Sequence, residues 1–276
     1  MTVTAPAPTP TPKPAASTRR HRARRPEGGW SQQLLPVLGV VVTIGLWWAL
    51  TVIFKIESFI LPSPLLVAEA MVDQADYLWD NTLVTLWETV QGFLLAIVVG
   101  VPLALIVTSS RVLERTVYPL LLMLNAVPKV AVAPLLVVWM GFGQFPKVFL
   151  VFLVCFFPIV ISTAAGLSAT PPDLVELARS MKANWWQMFR MIRMPAAIPQ
   201  LFVGLKLAIT LAVIGAVIAE FVGATEGLGY AIVASGASAD TALAFAAMIL
   251  LGVMSVVLFY LLAAIERFCV PWAERK

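Results

Sequence analysis

Glu88, Lys129 and Glu220 stand inside stretches that are otherwise apolar enough for lipid. A charge at mid-membrane costs at least ~2.5–3.5 kcal/mol on insertion scales, so each must face protein or water. Lys129 directly follows Pro128, and Pro134 comes within two turns. Each proline frees a backbone carbonyl and can bend the helix around the lysine. Two readings stay open. In one, Lys129, Pro128, Pro134 and Glu220 line a translocation path that favours an anionic or electron-rich solute. In the other, Lys129 is half of a structural ion pair with Glu88 or Glu220. Glu88 and Glu220, near span ends, read first as interfacial or structural groups. Catalysis finds no comparable constellation. The only histidine is His21, and Cys155 and Cys269 lie far apart in apolar surroundings without zinc or disulfide spacing. No catalytic group, metal site or cofactor is expected, and Gly141–Gly143 and Gly227–Gly229 read as turns.

A second constellation is the polar stretch ELARSMKANWWQMFRMIRMP, Glu176 to Pro195, with one carboxylate and four basic residues. Upstream, Thr170 as cap, Pro171 at the first helical position and Asp173 at the third form a helix start. Leu174, Leu177, Ala178 and Met181 then fall at i, i+3, i+4, i+7, one apolar stripe. Asn184 and Gln187 have capping-box spacing, and Trp185, Met188, Phe189 and Ile192 form a second stripe, interrupted by Pro195 and Pro199. The spacing predicts two short amphipathic helices with a bend around Lys182–Asn184. Such a knob either lies on anionic lipid through Arg179, Lys182, Arg190 and Arg193, or docks into a partner's groove.

These residues need a membrane scaffold. Of the 276 residues 60% are hydrophobic and only 12% charged, about half the charge of a soluble domain. Mean hydropathy is +0.91 and the pI about 9.3, but the basic residues form no nucleic-acid groove. They sit in the N-terminal region and the loops, where they set topology. A span needs about 20 apolar residues, and six segments qualify: Leu34–Phe54, Leu83–Thr108, Val117–Met140, Val148–Leu167, Leu201–Val222 and Ala242–Ile265. Lys129 falls about twelve residues into the third, roughly 18 Å along it. Placing the basic clusters inside, with Arg111/Arg115, the Arg179–Arg193 loop and Arg267/Arg275/Lys276 together, gives an N-in, C-in chain. Residues 1–33 read as a disordered basic cytoplasmic tail, 34–267 as the six-helix domain with the polar loop at 170–195, and 268–276 as a short cytoplasmic tail. Leu65–Trp79 reads as an amphipathic helix at the outer interface. The stripe Gly204, Ala208, Ala212, Ala216 predicts a close helix contact, within the chain or between subunits.

The polar stretch resembles the EAA loop of binding-protein-dependent ABC importer permeases. Glu176, Ala178, Ile192 and Pro195 match its pattern in register. Leu177 replaces its second alanine, Met194 its leucine, and Lys182 its glycine. LPSP (Leu61–Pro64), NAVPKVAVAPLLVVWMGFG (Asn125–Gly143), CFFPIVISTAAGL (Cys155–Leu167) and AEFVGATEGLGY (Ala219–Tyr230) are similar to the sulfonate/nitrate/taurine branch, which also includes thiamine and pyrimidine-precursor transporters. The resemblance implies a type I ABC importer permease fold: an all-α membrane protein of six transmembrane helices with cytoplasmic coupling helices, multi-pass in the bacterial inner membrane. It implies a transport subunit rather than an enzyme, and the sequence lacks any GxxxxGK[ST]. The implied partners are cytoplasmic ATP-binding subunits, an extracytoplasmic solute-binding protein, a second permease copy and membrane lipid, with no nucleic acid. The implied coupling residues are Glu176, Ala178, Met181, Lys182, Ala183, Asn184, Trp185 and Pro195. Glu176 would brace the loop or touch the ATPase, and Met181–Trp185 would form the contact. The transported solute would be small, polar and anionic, such as a sulfonate, taurine or nitrate, or else a thiamine or pyrimidine precursor. A stand-alone secondary transporter is the competing reading and would need coupling carboxylates in several spans. A membrane scaffold or receptor that uses the loop for assembly is a further alternative.

Overall fold

Proline and small polar residues divide the apolar chain into helices. The computed structural model describes residues 29–272, and among these the regular structure is all helical, with no strand. Most of the expected tail at 1–33 and the last four residues of the one at 268–276 lie outside the described residues, while Phe268 and Cys269 still belong to the last helix. Residues up to Leu46 and from Trp47 onward form two separate units. In the first, the described residues are helical from Gly29 and belong to α1 (Gly29–Ile53), whose last turns lie in the second unit.

In the second unit, Ser63 caps α2 (Pro64–Asp73), its hydroxyl accepting from the Leu66 N–H at 3.3 Å. The chain turns at Gln74 into α3 (Ala75–Ser109). The amphipathic helix expected at Leu65–Trp79 is therefore two pieces, and its second half opens a span of 35 residues. At 1.5 Å per residue α3 is about 52 Å long, well beyond the hydrocarbon core. Ser110 caps α4 (Arg111–Asn125), and α5 (Lys129–Met140) follows. Then come α6 (Gln144–Ser168), α7 (Pro172–Ser180), α8 (Trp185–Met188), a π turn (Phe189–Arg193) and α9 (Met194–Gly223). Last are α10 (Leu228–Ala237) and α11 (Thr241–Cys269), which Asp240 caps through the Leu243 N–H at 3.1 Å.

Among the described residues, four helical stretches are long and apolar enough to cross a membrane by themselves: α3, α6, Trp185–Gly223 and α11. The expected continuous span Val117–Met140 is instead α4 and α5, bent 87° apart. Pro128 explains the break. It disfavours helix at Val127 and has no N–H to continue the ladder, so Pro128 turns extended and α5 restarts at Lys129.

α6 lies at the centre, between α3 and α9. It runs parallel to α3, with Gly92 against Val151 and Gly100 against Ile159, and antiparallel to α9. Gly204 meets Ser162, Cys155 donates a thiol hydrogen bond to the Ala208 carbonyl at 3.2 Å, and Gly215 meets Val151 and Val154. The small-residue stripe Gly204, Ala208, Ala212, Ala216 is thus an intrachain seam, with all three alanines fully buried. Small residues let backbones approach where lipid supplies no hydrophobic drive between helices.

Candidate functional site

The polar loop sits where α6 ends and α9 begins. α7 starts one residue later than expected: Pro171 is its cap residue, while the Thr170 hydroxyl bonds back to the Leu167 carbonyl at 3.2 Å. Its end is a Schellman closure. The Ala183 N–H donates to the Ala178 carbonyl at 3.0 Å, the Lys182 N–H to the Arg179 carbonyl at 2.9 Å, and Lys182 is left-handed at φ 58°. Lysine therefore takes the conformation that glycine adopts freely, at a strain of about 1 kcal/mol. The expected capping box is present: the Asn184 side chain accepts from the Gln187 N–H at 2.7 Å, and the Gln187 side chain from the Asn184 N–H at 2.9 Å. The second loop helix, however, does not end at Pro195. It widens into the π turn and continues as α9, so Trp185–Gly223 is one helical stretch of 39 residues. A π turn shifts the hydrogen-bond ladder locally, and it falls just where Pro195 has no N–H to donate.

The loop is anchored from below and bare above. Ala178 and Met188 are buried, and the Pro195 carbonyl accepts from the Trp272 indole at 3.3 Å. Leu177, Met181 and Trp185 are 57%, 74% and 62% exposed. Lys182, Asn184 and Glu176 are exposed and Ala183 half-buried. Glu176 has no ion-pair partner among the described residues.

Lys129 stands at the elbow between α4 and α5 rather than midway along one helix. Its ammonium donates to the Asn125 side-chain oxygen at 2.8 Å and to the Asn125 carbonyl, and lies 5.0 Å from the Phe157 ring centre. The lysine thus caps the carbonyl end of α4, where a positive charge is stabilising, and its cation rests on an aromatic face. Pro128 and Pro134 are exposed beside it. The alternative ion pairs with Glu88 or Glu220 do not form. Of Lys129, Lys147 and Lys206, only Lys129 has no carboxylate partner among the described residues.

Glu88 and Glu220 are instead sealed at the end of the bundle opposite the polar loop, 1% and 2% exposed. Lys147 of α6 donates to Glu88 Oε1 at 2.7 Å. Thr85 donates to Glu220 Oε1 at 2.7 Å, and the Gly229 N–H donates to Glu220 Oε2 at 2.5 Å. Thr85 also accepts from the Leu228 N–H at 2.8 Å, and Asn81 from the Gly227 N–H at 2.7 Å. The turn before α10 is therefore tied to α3 through one carboxylate, one hydroxyl and one amide. Gly227 has φ 111°, and a Cβ there would strike Glu220, so glycine is required on both counts. Glu220 lies buried in this knot and does not meet Lys129, Pro128 or Pro134 through any hydrogen bond or ion pair. Beside it, Trp87, Glu88, Gln144, Lys147 and Glu226 border a cavity of about 560 Å³. Lys147 and Lys206 were not anticipated as partners. Lys206, whose ammonium lies 2.7 Å from Glu266, could have been found as a charge inside the fifth predicted span.

Comparisons with known proteins give the chain's family and fold. Residues 96–275 match the family described as binding-protein-dependent transport system inner membrane component. The riboflavin transport system permease protein RibX of Chloroflexus aurantiacus is 37% identical over 243 residues, covering 86% of this chain and 91% of its own. The formylaminopyrimidine transport permease protein ThiX of Halalkalibacterium halodurans is 34% identical over 221 residues, 80% of this chain and 88% of its own. The putative aliphatic sulfonates transport permease protein SsuC of Bacillus subtilis is 29% identical over 259 residues, 93% of each. A chain of the inward-facing MetNI methionine ABC transporter shares the fold, with TM-score 0.61 at 22% identity, over 74% of this chain and 99% of that one.

Proposed function

Because the chain belongs to the binding-protein-dependent transport system inner membrane component family, we propose that it forms the solute path of an ATP-driven importer and is moved through its Glu176–Pro195 loop. As a member of that family it is a multi-pass inner-membrane transport subunit. The rest is our reading. The loop faces the cytoplasm, the chain has six spans with both ends inside, and two copies pair around the path. Cytoplasmic ATPase subunits clamp the loops, and an extracytoplasmic binding protein delivers the solute.

One observation carries the docking role: the apolar residues Leu177, Met181 and Trp185 are bare on a loop that Ala178, Met188 and the capping box hold rigid. A patch of large apolar side chains on an ordered, charged loop marks a partner surface. With no ion-pair partner among the described residues, Glu176 is available to that partner rather than needed to brace the fold. The test is co-purification from detergent. The wild-type chain retains an ATPase subunit, and Glu176→Arg or Met181→Asp releases it without changing the melting temperature of the chain alone. Solute uptake by the lone chain in ATP-free liposomes would overturn the reading in favour of a secondary transporter.

For the solute, the uncompensated Lys129 at the exposed α4–α5 elbow supports a small polar anion, the sulfonate class among the relatives' substrates. Lys147 and Lys206 do not contribute to this preference, since carboxylates already neutralise them.

A further inference from the structure

Two loop arginines border cavities that adjoin the bare docking surface at Trp185. Arg179, in the last turn of α7, and Arg193, closing the π turn, border one cavity of about 230 Å³ with Trp185 and Phe189. Arg193, Trp185 and Phe189 also border a second cavity of about 270 Å³, whose far wall is Leu105, Ile106 and Leu167. The two aromatic rings stack in parallel, 5.5 Å between centres and 4° apart. The far wall belongs largely to the final turn of α3, and Ile106 there is 57% exposed on the side of a membrane-spanning helix. Neither arginine has a carboxylate partner among the described residues, and neither cavity is bordered by an acid.

The cleft is therefore cationic and aromatic at one end and aliphatic at the other, against the last turn of the long apolar helix α3. Arginine remains charged at any accessible pH and its planar fork matches phosphate oxygens. Tryptophan favours the headgroup level of a membrane. A soluble partner could supply an anion to Arg179 but has no reason to run along the lipid-facing wall of α3. We infer that this cleft binds an anionic phospholipid, its phosphate between Arg179 and Arg193 and its acyl chain along Leu105 and Ile106. The loop then has two faces, an outward one for a protein and an inward one for lipid, joined at Trp185. Anionic lipid would hold the loop against the end of α3, where it is positioned for docking.

The test is native mass spectrometry of the purified full-length chain in detergent, with equimolar phosphatidylglycerol and phosphatidylcholine of matched chains. A basic residue at an anionic surface contributes a factor of about five. The wild type is expected to retain phosphatidylglycerol over phosphatidylcholine by roughly tenfold or more. Arg179→Ala/Arg193→Ala should bring the two lipids to parity, and Arg179→Lys/Arg193→Lys should keep most of the preference. Equal retention by the wild type overturns the inference, and that result does not depend on whether any variant folds. A preference unchanged in the double alanine variant also overturns it. Inorganic phosphate at millimolar concentration is expected to leave the preference intact. If it abolishes the preference, the cleft is a free-anion site. Displacement of the lipid by a purified ATPase subunit would assign the arginines to docking instead.

Discussion

Lys182 shows how one backbone angle organises a loop. Its φ of 58° closes the Schellman turn that sets α7 against α8. A β-branched residue is a genuine outlier in that region whereas glycine is not. Lys182→Gly is expected to keep or raise the melting temperature, and Lys182→Val to lower it, by about 1 kcal/mol or more of turn stability. A thermal melt of the purified chain in detergent reads the difference. Glu220 is the contrasting case, a carboxylate whose value is entirely internal. Glu220→Ala would strand the Gly229 N–H in a sealed site, at roughly 1–3 kcal/mol, and would leave the Thr85 hydroxyl only the Asn81 carbonyl at 3.1 Å as acceptor. The expected melting temperature is clearly depressed. Glu176→Ala, at an exposed side chain without an ion-pair partner among the described residues, should leave it unchanged.

At the scale of elements, the α6 seams depend on absent side chains. A Cβ on Gly204 would collide with Ser162, and one on Gly92 with Val151. Gly204→Val and Gly92→Val should each destabilise the bundle by about 1–3 kcal/mol through overpacking, visible as lower melting temperatures, while Gly236→Ala, with open space around it, should not. Much of this level was legible from residue order. Hydropathy located α6, α9 and α11 because lipid demands long apolar runs, and Asn184–Gln187 announced its own capping box because caps are local. What failed depended on distance or on proline context. Val117–Met140 looked continuous, since hydropathy does not register the missing N–H of Pro128. Pro195 looked like a stop, since a sequence does not show that a π turn will absorb it. Glu220 was placed correctly near a span end, but its partner Thr85 is 135 residues away. Nothing in either segment alone declares that pairing. Lys147 pairs with Glu88 across two helices and 59 residues, a pairing equally silent in the local sequence.

At the scale of the whole molecule, the family assignment and the loop geometry give the chain its place in a larger machine. If the path favours an anion at the α4–α5 elbow, Lys129→Met should cut ATP-driven uptake of an anionic solute by about tenfold, the equivalent of ~1.4 kcal/mol, with ATP hydrolysis retained. Reconstituted vesicles with labelled solute would show it, and unchanged uptake would remove Lys129 from the path. A last consequence lies in the unbroken stretch from Trp185 to Gly223. At 1.5 Å per residue it is a rod of about 58 Å, with the loop's aromatic residues at one end and the Glu220 knot at the other. Its helical ladder is modified at the π turn and Pro195 but not broken, so the stretch can act as a lever. If the loop is the coupling handle proposed above, tilting its aromatic end would swing the tethered turn at the far end in the opposite sense, making an inner push and an outer release one mechanical event.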